Sequence, residues 1–130
     1  MEKKILERKG KRFSMNNGIK LEKLLNKKLP MEYKKFLDSQ GLISENGKEV
    51  YGFSPNLDIN KIPCVIGATN LYKKIYNLKD NELVVSFDEL ENSPILLNIE
   101  DGKIYSIDIQ NNRKLLYGNF LEFLKMLKEE

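Results

Sequence analysis

The spacing of apolar positions changes several times along this chain. Residues 1–15 show little periodicity: Ile5, Leu6 and Phe13 are the large aliphatic or aromatic side chains before Met15, and Gly10 interrupts any helix. They read as a basic arm or short helix. Ile19, Leu21, Leu24, Leu25 and Leu29 then form a helical stripe with lysines opposite. Asn16-Asn17 supply a cap for a helix starting near Gly18 or Ile19. Pro30 resets the backbone and suits the first turn of a second helix, residues 30–40, with Tyr33, Phe36 and Leu37 on its inner face. Gly41 is the expected stop.

Beyond Gly41 the pattern shortens. Asn46-Gly47 signals a turn, and Val50-Tyr51-Gly52-Phe53 a short strand ended by Ser54-Pro55. Residues 56–63 read as irregular. A third helix carries Leu71, Tyr72, Ile75 and Tyr76, starting at Thr69 or Asn70, or as early as Pro63. Leu83 to Phe87 is a strand. Pro94 to Ile99 and Lys103 to Ile109 are two more, joined at Asp101-Gly102, a strong hairpin signal. A two-residue turn pairs Ile99 with Ile104, Leu97 with Ser106 and Ile95 with Asp108, and puts Leu96 and Ile107 on the opposite face. Either both faces are partly covered or a bulge shifts the pairing. Asn111-Asn112 closes the sheet region. Asn119 caps a last helix with Phe120, Leu121, Phe123, Leu124 and Leu127 apolar and Met126 off the stripe.

This order predicts an α+β fold, a mostly antiparallel sheet covered by N-terminal, middle and C-terminal helices. A chain of 130 residues supports one hydrophobic core rather than two. The expected division is a basic arm over residues 1–17 and a single domain over residues 18–130.

Two compositional facts narrow the chemistry. There is no histidine, which removes Ser-His and Cys-His pairs and imidazole metal sites. The one cysteine, Cys64, lies in Ile62-Pro63-Cys64-Val65-Ile66 and reads as a small buried side chain. No internal disulfide is possible with one thiol. The longest uncharged stretch, Ile62 to Tyr72, is eleven residues, against about 20 for a membrane-spanning helix. No signal-peptide pattern opens the chain, so the expected location is cytoplasmic, with no membrane partner.

Charge is unevenly distributed. Residues 1–35 hold 12 Lys/Arg against 4 Asp/Glu, and residues 36–130 hold 10 against 15. Such a split raises nucleic-acid binding through the first third. Only Arg8, Arg12 and Arg113 are arginines, the residue best suited to phosphate and guanine, so a solvated lysine surface is the preferred reading.

Three ordered features resemble one family. Leu29-Pro30-Met31-Glu32-Tyr33-Lys34-Lys35-Phe36-Leu37 follows an amphipathic helix and is closed by Gly41. A strand pair is joined at Asp101-Gly102. Phe120-Leu121-Glu122-Phe123-Leu124 forms the last helix. Together, over about residues 18–128, they resemble the SUKH superfamily, the domain of the yeast cell-wall-assembly regulator and its bacterial relatives. The resemblance implies a SUKH-like fold and a non-enzymatic protein. Most bacterial members are immunity proteins that bind and neutralise a cognate contact-delivered toxin domain, often a nuclease. The alternative it implies is a regulatory or scaffold protein of the same fold.

An inhibitor of that kind needs a surface with a few aromatic or charged anchors. The acidic clusters are Asp80 with Glu82, then Asp88, Glu89 and Glu91, then Glu100 with Asp101. Toxins that act on nucleic acid are basic, so acids would steer association. Asp88-Glu89-Leu90-Glu91 is the first choice, because it follows a strand and belongs in an exposed loop. Tyr51, Tyr72, Tyr76 and Tyr105 are candidate anchors, with Tyr51 favoured because the Ser44–Glu49 loop would expose it; Tyr33 reads as core. Paired carboxylates could in principle support hydrolysis. No tryptophan, apolar cleft motif, metal-ligand spacing or phosphate-binding glycine motif accompanies them. No catalytic residue, metal or cofactor is therefore expected.

Overall fold

The computed structural model describes residues 16–45 and 47–129. Of the basic arm expected over residues 1–17, residues 1–15 lie outside the described residues, and Asn17 belongs to the first helix.

The first helix, α1, spans Asn17–Leu25. Asn16 occupies the cap position but makes no side-chain cap bond. The cap comes instead from the second helix: Gly18 N–H donates to Asp38 Oδ1 at 2.8 Å, and Asn17 Nδ2 donates to the Leu37 carbonyl at 3.0 Å. The buried face is Asn17, Gly18 and Leu21, while Ile19 and Leu24 are exposed. The expected five-residue stripe is thus corrected. Gly18 faces inward because the second helix packs closely there: a Cβ on it would lie 3.0 Å from Lys34 Cβ. Asn26, at φ 57°, ends α1 before Leu29. Leu29 is buried in the connector, and its N–H donates to Glu22 Oε2 at 2.8 Å. Desolvation raises the Glu22 carboxyl, but the Leu29 bond and the Lys34 and Lys28 cations outweigh it and hold it below its ordinary value.

Helix α2 spans Met31–Ser39, with Pro30 just before its first turn rather than inside it. Tyr33, Phe36 and Leu37 are buried, as the pattern predicts, and Gly41 ends the helix at φ +77°. Strands β1 (Ile43–Glu45) and β2 (Lys48–Val50) form a hairpin with Ile43 opposite Val50. The expected strand over residues 50–53 therefore moves upstream, and β1 is new. Tyr51, Gly52 and Phe53 instead leave the hairpin and lock three elements together. Tyr51 N–H donates to Val85 at 2.7 Å, Gly52 bridges to Cys64, and Phe53 N–H donates to Gly41 at 3.1 Å. A Cβ on Gly52 would lie 1.7 Å from the Gly41 oxygen, so no larger residue fits.

Helix α3 spans Val65–Lys73 behind the buried Cys64, starting between the two positions the sequence offers. It buries Val65, Gly67, Ala68 and Thr69, leaves Leu71 exposed, and ends before the expected Ile75 and Tyr76, of which Ile75 is exposed and Tyr76 buried. Its inward face is made mostly of small side chains lying against the next strand in the chain. Thr69 Oγ1 accepts the Val84 N–H at 2.9 Å.

The main sheet is an antiparallel meander in the order β3 (Glu82–Asp88), β4 (Ser93–Asn98), β5 (Ile104–Ile107), β6 (Arg113–Tyr117). Strands β3 and β4 are buried on both faces. Of the two causes expected for the 95–109 hairpin, covered faces occur and a bulge does not, since β4 pairs with β5 without a register shift. The β3–β4 pairing shifts between Val84 and Ser86, and the skipped Val85 gives its carbonyl to Tyr51. The Asp-Gly hairpin is corrected by two residues: Leu97, not Ile99, faces Ile104. Asn98 makes the longer loop, because its Oδ1 accepts the N–H groups of Glu100 and Asp101 at 2.9 and 3.2 Å. Asn111-Asn112 does not end the sheet. Asn111, at φ 69°, turns the chain into β6.

Helix α4 spans Phe120–Glu129, with Asn119 Oδ1 accepting the Glu122 N–H at 2.9 Å as the expected cap. Phe120, Phe123 and Leu124 are buried, and Leu121 is exposed. Phe120 stands edge-on to Tyr33 at 5.1 Å and Phe36 at 5.3 Å. The Tyr33 hydroxyl donates to the Tyr51 carbonyl at 2.8 Å, so the aromatic centre reaches the junction at Gly52. The expected α+β architecture stands: four helices, a small hairpin and a four-stranded antiparallel sheet among the described residues.

Candidate partner-binding face

The acids singled out in the sequence separate by environment. Glu82 is only 4% exposed. Its carboxylate takes a two-point contact from Arg113, Nε to Oε2 at 2.9 Å and an Nη to Oε1 at 2.7 Å, and also accepts the Lys79 N–H at 2.8 Å. Arg113 further donates to the carbonyls of Asn77 and Asn111. The Glu82 bond raises the guanidinium above its ordinary value despite desolvation. β3 and β6 are the outer strands of the sheet, so this ion pair shows a sheet curled enough to bring their starts together. Glu82 therefore leaves the surface set. Its neighbour Asp80 is exposed, and the Asp80 carbonyl accepts from the Lys27 ammonium.

Asp88 closes β3, about 20 Å of extended chain from Glu82. Its Oδ1 accepts the N–H groups of Leu90 at 3.0 Å and Glu91 at 3.2 Å, which fixes a tight acidic turn. Glu89 and Glu91 are exposed on either side of Leu90, which is 96% exposed. Among the described residues no cation pairs with Glu89 or Glu91.

Tyr51 is 4% exposed and presents no broad anchor, contrary to the expected open loop. The β1–β2 hairpin takes that loop away from it. Its hydroxyl is pushed up to about 12 by burial, then by Tyr72, Glu49 and Glu89. The Glu49 carbonyl accepts the Ser86 hydroxyl at 2.6 Å, which sets β2 beside the part of β3 that leads into the turn. Tyr72 is half-buried and stacks on Phe87 at 5.8 Å, with Tyr76 at 6.3 Å on its other side. Glu49 on β2, the turn of Glu89, Leu90 and Glu91, and Tyr72 on Phe87 are so found towards the same end of β3. Asp80, Glu100 and Asp101 lie elsewhere. Tyr105 donates to Asp101 at 2.8 Å, within that second group.

Glu49 was missed in the sequence. Its signal was the Asn46-Gly47 pair in the sequence; β2 sets Glu49 opposite Ser44, and both are exposed. Cys64 is buried, as expected. Among the described residues no three metal-ligating side chains cluster, and no helix is long and apolar enough to cross a membrane.

The family model that matches the chain is SUKH_5, described as SMI1-KNR4 cell-wall, and it covers residues 3–128. The match begins well before the span that the sequence motifs cover. No curated protein matches the chain.

Proposed function

Since the chain belongs to the SUKH_5 family of SMI1-KNR4 cell-wall type, we propose that it is an immunity protein that neutralises a cognate bacterial toxin domain by binding it. It catalyses no reaction and works in the bacterial cytoplasm. The observation that carries this reading is the exposed turn at Leu90, flanked by the carboxylates of Glu89 and Glu91, which no cation pairs among the described residues, with Glu49 on the strand beside it. Unpaired acids around an apolar tip favour a basic partner twice. They raise the encounter rate through long-range attraction, and the leucine is desolvated on contact. A nuclease domain, which carries cations to hold phosphates, is the partner class that fits. Asp88 supports the face by fixing the turn, and Asp80 lies outside the principal contact.

The test is kinetic. The toxin domain encoded beside this gene is purified and its association with the chain followed by stopped-flow or surface plasmon resonance. Reversing Glu49, Glu89 and Glu91 to lysine is expected to slow association about tenfold or more at low salt, with the gap closing as salt rises. Absence of binding, or an association rate unchanged by the reversals, would sink the reading. A scaffold role of the same fold would give the first of those results.

A further inference from the structure

Helices α2 and α4 touch near their starts. The Phe36 and Phe120 rings are 5.3 Å apart, and Leu121 N–H donates to Glu32 Oε1 at 3.2 Å. Alongside that contact the two helices leave an open hollow of about 790 Å³. Its apolar lining includes Met31, Phe36 and Leu121; Met31 is 61% and Leu121 56% exposed. Its charged lining is Lys35, Lys125 and Lys128, and among the described residues none of the three is paired with an acid. The one acid on the lining, Glu32, is already engaged by Leu121.

We propose that this groove docks an acidic amphipathic helix of a protein partner. Two lining helices of nine and ten residues give a groove about 14 Å long, which matches two to three helical turns. Apolar anchors one turn apart on the partner would fill the floor, and Asp or Glu beside them would meet the lysines. The sign of the rim selects this occupant. The chain's own residues 1–15 carry Lys3, Lys4, Arg8, Lys9, Lys11 and Arg12 against Glu2 and Glu7, the same sign as the rim. Two copies meeting groove to groove would set lysine against lysine. The groove is built from different elements than the acidic turn, so this second docking site stands independently of the toxin reading.

The probe is a fluorescein-labelled synthetic helix of about 14 residues, leucines one turn apart and glutamates beside them. A control peptide carries lysine in place of each glutamate. Fluorescence anisotropy with the full chain should show saturable binding of the glutamate peptide and none of the lysine peptide. Leu121→Asp should weaken binding about tenfold or more. Lys125→Glu with Lys128→Glu should abolish it and create binding of the lysine peptide. All three positions are exposed, and thermal unfolding followed by circular dichroism checks that the variants fold. The charge reversal alone decides the matter if Leu121→Asp does not. Reversing Glu49, Glu89 and Glu91 should leave peptide binding unchanged, which separates this site from the acidic turn. Equal binding of both peptides, no binding of either, or indifference to the lysine reversal would overturn the proposal. Wild-type dimers by sedimentation equilibrium that Leu121→Asp dissociates would also overturn it, giving the groove to a second copy.

Discussion

Glu82 opens strand β3 and Glu89 follows its last residue, and their surroundings could hardly differ more. Glu82 is buried, held by two Arg113 bonds and one backbone N–H, and closes the curl of the sheet. Glu89 is exposed and has no cation beside it among the described residues. The first end is held by charge. The second end is held by backbone: Tyr51 on Val85, the Ser86 hydroxyl on the Glu49 carbonyl at 2.6 Å, and Gly52 pressed on Gly41. Because main-chain contacts and the Asp88 carboxylate fix the second end, the carboxylates of Glu89 and Glu91 are not needed to hold the fold. A charge committed to the fold and a charge available to a partner look the same in a sequence.

The contrast can be broken most severely at Gly52. Gly52→Ala should cost about 3–4 kcal/mol in urea unfolding, since backbone rather than a flexible side chain stands 1.7 Å from the new Cβ. Tolerance of alanine would mean that the junction is loose. Glu82→Gln comes next. It leaves Arg113 half-satisfied, and as that side chain is 19% exposed, water softens the loss to about 2 kcal/mol. Arg113→Lys should lose a similar share, because an ammonium cannot reproduce the two-point contact. Stability unchanged by either substitution would show that the curl needs no ion pair.

Smaller is the alkaline effect at Tyr51. Its hydroxyl lies at about 12 in the fold, against about 10 in an unfolded chain. The folded state therefore keeps this proton longer. Stability is whole below pH 10 and falls as pH climbs from 10 towards 12. Urea midpoints measured across that range should fall less steeply in Tyr51→Phe, and equal slopes would remove Tyr51 from the account. Least of all in stability should be Glu89→Lys with Glu91→Lys, within about 0.5 kcal/mol of wild type. A larger loss would make the turn a structural element and erase the distinction between the two ends.

Much of this layout was legible in the residues, and the failures have physical causes. Tyr33, Phe36 and Leu37 read correctly because large side chains one turn apart, after a proline and before a glycine, leave one sensible helix face. Asn119 read correctly as a cap for the same local reason. Helices α1 and α3 misled because their buried faces hold Asn17, Gly18, Gly67, Ala68 and Thr69, while Ile19, Leu24, Leu71 and Ile75 are exposed. A hydrophobic stripe marks the inward face only where the neighbour is not close enough to demand small residues. Strands β1 and β6 were missed because Ile43-Ser44-Glu45 and Arg113-Lys114-Leu115 carry too little apolar alternation. The hairpin at Gly102 slipped by two because a side chain, Asn98, set the loop length. In the candidate face, Asp88 to Glu91 could be read from the sequence. Glu49 and the enclosure of Tyr51 could not, since both follow from strand pairing.

The bond from Leu121 to Glu32 joins residues 89 positions apart, whereas each strand of the meander bonds to the one just before it in the chain. The sheet can assemble from local segments as they emerge from the ribosome. The lysine-lined groove has no second wall until residues 120–129 have been made. A ligand that recognises that groove therefore distinguishes chains that contain α4 from chains that stop before it.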